Sequence, residues 1–281
     1  MMQIDHTTMR FGVFGDPIAH SKSPLMMNKA FEAVGLNAIY MAFHVKPEQL
    51  RHAVEGIRGL AFRGVNVTIP HKLAVMEYLD EIDEGARVIG AVNTIVNDSG
   101  RLIGYNTDGI GYVRSLKEET GIHLAGKRIL LLGAGGAARG IAYALAMENP
   151  AHIWITNRTA ERAVELASSL SKYADLEGMG SDRLADIKHK VDLVINTTSV
   201  GMHPHVDERP ADPRMFSSDT IYSDLIYNPL KTRWLLDAEE LGRKVHGGLG
   251  MFIYQGAYAY EYWLDQQAPV DVMRQAVVEA L

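Results

Sequence analysis

The chain has 281 residues, 47% of them hydrophobic and 22% charged, with 28 basic and 34 acidic side chains giving a net charge of −6. That length suits two domains of roughly 150 residues, and a mild acidic excess with no run of either sign argues against a nucleic-acid surface. Cysteine is absent, which excludes disulfides, thiolate catalysis and cysteine-ligated zinc. The opening MMQIDHTTMR lacks the apolar core of a signal peptide, and no apolar run nears the roughly 20 residues of a spanning helix, so a cytoplasmic protein is expected.

Strand and helix patterns alternate from residue 10. RFGVFG (10–15) reads as a strand. Ser23-Pro24 caps a helix through Val34, because serine accepts from a free N–H and proline suits the first helical position. A strand at 39–45, a helix at 47–59 and a strand at 64–69 follow, then two short helices over 71–78 and 81–88. AVNTIV and RLIGYN flank Asn97-Asp98-Ser99-Gly100 as a hairpin. A helix from Gly109 to Thr120 leads into the strand at 129–132, a helix from Ala137 to Met147 and a strand at 153–155. Strands at 191–198 and 220–227, a helix at 232–241 and a short strand KVHG come next. Met251 to Leu281 is helical with a break near Pro269, and 201–213 is a candidate mobile flap. Such alternation builds an α/β fold of doubly wound, mostly parallel sheets. The expected division is 1–108 plus 249–281 as one domain, with C-terminal helices packing back, and 109–248 as a Rossmann-like second domain.

KRILLLGAGGAARG (127–140) combines an apolar strand, a tight turn at Gly133, Gly135 and Gly136, and a helix start. Glycines there let the backbone approach a pyrophosphate, and the free N–H groups favour an anion. The bland alternative is an ordinary strand-to-helix turn. The next strand ends in Asn157-Arg158-Thr159, with Arg162 one turn on, where an NAD site usually places an acidic residue. A carboxylate would repel a 2′-phosphate, whereas a guanidinium grips it with charge-assisted bonds. The cofactor is therefore read as NADP.

In parallel sheets, ligands sit at the carboxyl ends of strands. Such ends in the first half carry Ser21 and Ser23, then Asn66, Thr68 and Lys72, then Asn93, and then Asn106, Thr107 and Asp108. The set suits a small hydroxyl-rich substrate with one carboxylate. A reduced carbonyl develops an alkoxide that must be protonated, and a lysine held by a carboxylate is a reasonable acid. Each residue also has a local reading. Ser23 could cap a helix, Asn93 and Asn106 could satisfy turns, Lys72 could be a surface lysine, and Asp108 could cap the following helix.

Taken in order, these segments resemble the shikimate dehydrogenases over nearly the whole chain. The matching stretches are GDPIAHSKSP from Gly15, NVTIPHK from Asn66, GAVNT from Gly90, GYNTDG from Gly104, GAGGAAR from Gly133 and NRT from Asn157. TSVGM from Thr198, DLIYNP from Asp224 and GLGMFIYQGA from Gly248 complete the set. The resemblance implies NADP-dependent, reversible reduction of 3-dehydroshikimate to shikimate in the cleft between two domains. It makes Lys72 the acid/base, paired with Asp108. Ser21 and Ser23 bind the substrate carboxylate, while Thr68, Asn93, Asp108, Tyr227 and Gln255 contact ring hydroxyls or carboxylate. The loop Gly133, Ala134, Gly135, Gly136 and Ala137 takes the pyrophosphate, and Asn157, Arg158, Thr159 and Arg162 take the 2′-phosphate end. Thr198, Leu225, Gly248 and Met251 surround the nicotinamide, with Glu84 a further cofactor-side candidate. Met27-Asn28 departs from the family, which often has histidine before that asparagine.

Two rival readings are a quinate/shikimate enzyme of broader range and a non-catalytic ligand-binding homologue. The presence of both Lys72 and Asp108 argues against the second. His203 and His205 flank Pro204 with no clustered ligands, so no metal is expected. The expected partner is a small-molecule substrate, with no nucleic acid and no membrane, in a monomer or homodimer.

Overall fold

The protein is described here by a computed structural model covering residues 4–281. Two compact units are present, one comprising the chain up to Thr107 together with Ile253–Leu281, the other Asp108–Phe252.

In the first unit the order is β1 (Met9–Gly15), α1 (Ser23–Ala33), β2 (Ala38–His44), α2 (Leu50–Gly59), β3 (Phe62–Val67), β4 (Glu81–Ile82), α3 (Glu84–Ile89), β5 (Thr94–Asp98) and β6 (Arg101–Tyr105). The strands lie β2-β1-β3-β5-β6-β4. All run parallel except β5, which is antiparallel to β3 and β6. The sheet is thus mostly parallel with one reversed strand, because the hairpin at 97–100 turns β6 back against β5. That reversal has a useful consequence. Thr94, at the start of β5, sits opposite Asn66 near the end of β3 and Tyr105 at the end of β6. The loops after β1, β3 and β6 and the loop before β5 therefore open on one edge. Beneath them Val65, Val67, Ile95 and Leu102 pack with Val54 and Ile57 of α2.

Two short elements differ from expectation. The expected helix at 71–78 is a set of turns ending in a 3-10 segment, Ala74–Tyr78. The expected helix at 81–88 starts later: Asp83 accepts from Gly85 N–H at 2.9 Å and so caps α3 at Glu84, while Glu81 and Ile82 pair with β6.

In the second unit the order is α4 (Asp108–Thr120), β7 (Arg128–Leu132), α5 (Gly136–Ala146), β8 (His152–Asn157), α6 (Ala160–Leu170), β9 (Leu176–Gly180), α7 (Leu184–Ile187), β10 (Leu193–Asn196), β11 (Ile221–Asp224), α8 (Arg233–Glu240) and β12 (Val245–His246). The all-parallel sheet is ordered β12-β11-β10-β7-β8-β9. Counted from β7 this is the doubly wound dinucleotide order, with its switch point between β7 and β10. Residues 129–132, 153–155 and 193–195 are all buried, as continuous apolar strands covered on both faces must be. No strand pattern is evident in LEGMG (176–180) taken alone. It becomes β9 because Gly178, lacking a side chain, admits the α6 backbone at Ala163 and Val164.

Helix α9 (Leu249–Leu264) begins in the second unit and, from Ile253, belongs to the first, as does α10 (Val270–Val278). Trp263 of α9 lies over β3 where Gly64 leaves space. Its Nε1 donates to Ile95 O at 2.9 Å and its ring centres 5.0 Å from that of Phe11. A Cβ at Gly64 would fall inside that indole, so Gly64→Ala should cost about 1–3 kcal/mol through overpacking. Gly56, inside α2, has room for a Cβ, with Leu60 Cδ1 4.0 Å away. Gly56→Ala should therefore stabilise by about 0.5–1 kcal/mol. Urea midpoints at constant slope read both, and an unchanged midpoint for Gly64→Ala would contradict the Trp263 packing.

Candidate functional site

Backbone bonds splice the four loops of the first unit's polar edge. Thr68 N–H donates to Phe14 O at 2.9 Å, Asp16 N–H to Ile69 O at 3.0 Å, Val92 N–H to Lys72 O at 2.8 Å and Asn93 N–H to Tyr105 O at 3.0 Å. A buried side-chain network runs beneath. The Tyr40 phenol donates to Asn66 Oδ1 at 2.8 Å, and Asn66 Nδ2 donates to Thr94 Oγ1 at 3.1 Å. Asn93 Oδ1 accepts from Thr107 N–H at 2.9 Å, and its Nδ2 donates to the Thr107 hydroxyl at 3.0 Å. The Thr107 hydroxyl donates to Gln255 O at 3.0 Å. Residues 66, 93 and 107 are nearly inaccessible, so the network fixes the frame on which half-buried Ser21, Ser23, Thr68 and Lys72 stand. Asp108 follows Thr107 by one peptide bond.

Ser23 does not cap α1. The cap position is Lys22, with no side-chain cap bond; Ser23 is the first helical residue and Pro24 the next. Pro24, with no N–H, and the αR conformation of Lys22 leave the serine hydroxyl free of that duty. It lies instead beside the Tyr40 phenol, whose ionisation burial pushes strongly upward. Asn106 takes a local role, its Nδ2 donating to Ala91 O at 2.9 Å. Glu84, named for the cofactor side, is an exposed residue at the start of α3 in the first unit. Tyr227, named for the substrate side, belongs to the second unit, stacked on Phe252 at 5.2 Å, and burial raises its phenol.

At the second unit's switch point, Gly133 has φ +111°, and a Cβ there would meet Thr197 Oγ1 at 2.7 Å and Thr198 Cγ2 at 2.8 Å. Only glycine fits. Gly135 stands at the cap of α5 with no side-chain cap bond, and at Gly135 and Gly136 a Cβ would meet open space. The first-turn N–H groups between Ala134 and Ala137 therefore have no capping side chain, the arrangement an anionic pyrophosphate fits. Asn157 ends β8 with its Nδ2 donating to Thr159 O at 3.0 Å, and Arg158 and Arg162 are exposed beyond it. These residues fit a phosphorylated dinucleotide.

The loops after β10 and β11 carry Thr198 and Leu225, and Gly248 donates to Ile226 O at 3.1 Å, where a Cβ would strike the Leu225 and Ile226 backbone. Met251 is half-buried in the first turn of α9. Several buried polar groups were assigned no role from the sequence, Asp224, Asn196 and His246 among them. Asp224 is fully buried, and burial pushes its carboxyl up to about 6 against the donors around it. His246 lies between the Ser115 and Ser223 hydroxyls at 2.8 and 2.9 Å. The available signal was a polar residue ending an otherwise apolar buried strand, as in LVIN and IYSD. Among the described residues, no group of three His, Asp or Glu could hold a metal ion, and no helix is long and apolar enough to cross a membrane.

Comparison with known proteins bears on these sites. The family models described as the shikimate dehydrogenase substrate binding domain, shikimate/quinate 5-dehydrogenase and the shikimate 5′-dehydrogenase C-terminal domain match residues 13–95, 115–213 and 248–278. A relative from Geobacillus kaustophilus (strain HTA426), named shikimate dehydrogenase (NADP(+)), is 50% identical over 275 residues, covering 96% of this chain and 98% of its own. A solved shikimate 5-dehydrogenase from Listeria monocytogenes, in complex with shikimate and NAD, is 36% identical over 99% of each chain with a TM-score of 0.94. That from Thermus thermophilus, in complex with NADP(H) and shikimate, is 37% identical over 98% of this chain and 100% of its own, with a TM-score of 0.87. With half of its residues shared along nearly its full length, the chain belongs to the shikimate dehydrogenase family.

Proposed function

We infer that the protein is an NADP-dependent shikimate dehydrogenase, an oxidoreductase that reversibly reduces 3-dehydroshikimate to shikimate. The observation that carries this is the full-length identity to enzymes so named, together with a phosphate-type loop followed by Asn157-Arg158 in place of an acidic residue. NADPH supplies the hydride when bound. The chain's own residues do the rest. Lys72 protonates the oxygen that gains charge as the carbonyl is reduced, and takes the proton back in the reverse direction. Asp108 orients Lys72 and accepts from a ring hydroxyl. Ser21 and Ser23 donate to the substrate carboxylate, and Thr68, Asn93, Tyr227 and Gln255 meet the remaining polar groups. The Gly133–Ala137 loop receives the pyrophosphate, Asn157, Arg158, Thr159 and Arg162 the 2′-phosphate end, and Thr198, Leu225, Gly248 and Met251 the nicotinamide, with Glu84 assigned to the cofactor. Following NADP reduction with shikimate, and separately with quinate, tests the activity; no turnover of shikimate overturns it.

Lys72→Ala should lower kcat roughly 10²–10⁴-fold, the usual cost of losing one positioned general acid, with NADP affinity nearly intact. Near wild-type kcat would remove Lys72 from the mechanism.

Ser23→Ala should raise KM for shikimate with little loss of stability, since the hydroxyl does not cap α1. A melt lowered by the roughly 1 kcal/mol of a lost cap, with KM unchanged, would contradict the carboxylate role.

Arg158→Ala should weaken NADP by about 1.5–3 kcal/mol, the worth of a hydrogen bond to a charged group, and leave NAD nearly untouched. Adding Asn157→Asp should shift the ratio of kcat/KM values further toward NAD, because a carboxylate accepts from a free 2′-hydroxyl and repels a phosphate. Equal loss for both cofactors would place Arg158 on their shared part.

A further inference from the structure

Asp224, at the end of β11, is surrounded by donors. Asn196 Nδ2 lies 3.1 Å from both carboxylate oxygens, the Thr232 hydroxyl donates at 2.9 Å and the Ile226 N–H at 3.0 Å. The Leu225 N–H donates to the Asn196 backbone O at 3.2 Å, tying the same two loops. Asn196 passes the connection on, its Oδ1 accepting from the Thr198 N–H at 3.0 Å and the Thr198 hydroxyl at 2.7 Å. Thr198 Oγ1 in turn accepts from Val200 N–H at 3.1 Å. One carboxylate thus joins the loop after β10, the loop after β11 and, through its cap residue Thr232, the start of α8.

We propose that Asp224 is a positioning residue for hydride transfer, holding Thr198 and Leu225 in the mutual arrangement that presents the nicotinamide. This rests on the assignment of those two residues to the nicotinamide side. A carboxylate among buried strands costs desolvation that its hydrogen bonds only partly return, and a well-packed neutral replacement is often as stable. What an amide at 224 cannot do, while residue 196 is also an amide, is accept from every one of these neighbours at once. An amide at 224 offers one acceptor oxygen and turns its NH2 against that of Asn196.

The test exchanges the pair in the full-length enzyme. D224N sets two amides against each other, N196D sets two carboxylates against each other, and the N196D/D224N exchange restores a carboxylate opposite an amide. Each single variant should lose at least about 10-fold in kcat, since small displacements of reacting groups are costly. KM for NADP should stay within about 3-fold, because the phosphate-binding segments are untouched. The exchange should recover most of kcat. Assays are run well below the lowest melting temperature, with melts in parallel. A D224N enzyme that melts early yet keeps kcat overturns the proposal, as does an exchange that restores the melt but not kcat. If D224N does not fold, the exchange carries the test by the same two readings. L225A separates the underlying assignment: kcat lost there but kept in D224N overturns the proposal alone, and kcat kept in both overturns the nicotinamide assignment.

Discussion

Four loops can present one polar surface only if their strands end in register, and in the first unit that register is carried by Asn93. Its backbone N–H donates to Tyr105 O and its backbone O accepts from Val67 N–H at 2.8 Å, while its amide holds both the N–H and the hydroxyl of Thr107. The residue is 3% exposed, and a buried amide with unmade bonds would cost roughly 1–3 kcal/mol for each lost partner. The network is thus rigid because breaking any one link strands another buried group. Lys72 inherits that rigidity through its carbonyl, bonded to Val92 N–H, and Asp108 inherits it through the adjoining Thr107. Reactive side chains on loops gain positional precision when the backbone beneath them has no alternative arrangement.

The second unit meets a different constraint, the approach of backbone to a large anion. Its strand order places β7 and β10 side by side, where the chain order of the strands reverses, the point at which such sheets open a crevice at the carboxyl ends of the strands. Gly133 turns there at φ +111° with the Thr197 and Thr198 side chains against it. The same close packing that forbids a side chain at 133 also fixes the β10 loop. That loop is tied through Asn196 to Asp224, so the turn after β7 and the loops after β10 and β11 form one connected surface.

The two units divide the chemistry by charge. The first offers hydroxyls and amides with one lysine, suited to a neutral ring bearing a single carboxylate. The second offers helix N–H groups and exposed guanidiniums, suited to phosphates. Arg158 and Arg162 are exposed, so their attraction to a phosphate is screened by salt and acts through contact rather than at long range. On the proposed assignment of these arginines to the 2′-phosphate end, cofactor choice rests on a few hydrogen bonds and is open to change by one or two substitutions.

Periodicity along the chain was enough to place the long strands and helices, and the glycine turn followed by Asn157-Arg158 was enough to name the cofactor, because these features depend on neighbours in sequence. Buried parallel strands must be apolar throughout, and a 2′-phosphate must meet a cation; both conditions are written locally. The resemblance of nine motifs supplied the substrate and the roles of Lys72 and Asp108. Elements stabilised from a distance were not legible. β4 exists because β6 offers it an edge, and β9 because Gly178 admits α6. Ser23 looked like a cap until the αR turn at Lys22 and the distant Tyr40 claimed its surroundings. Asp224 and Asn196 stand 28 residues apart, and nothing in either neighbourhood announces the other. Local sequence determined which segments are strand, helix and phosphate turn. Only the tertiary structure decided which buried polar groups meet, since a hydrogen bond out of water is specified by the positions of both its ends.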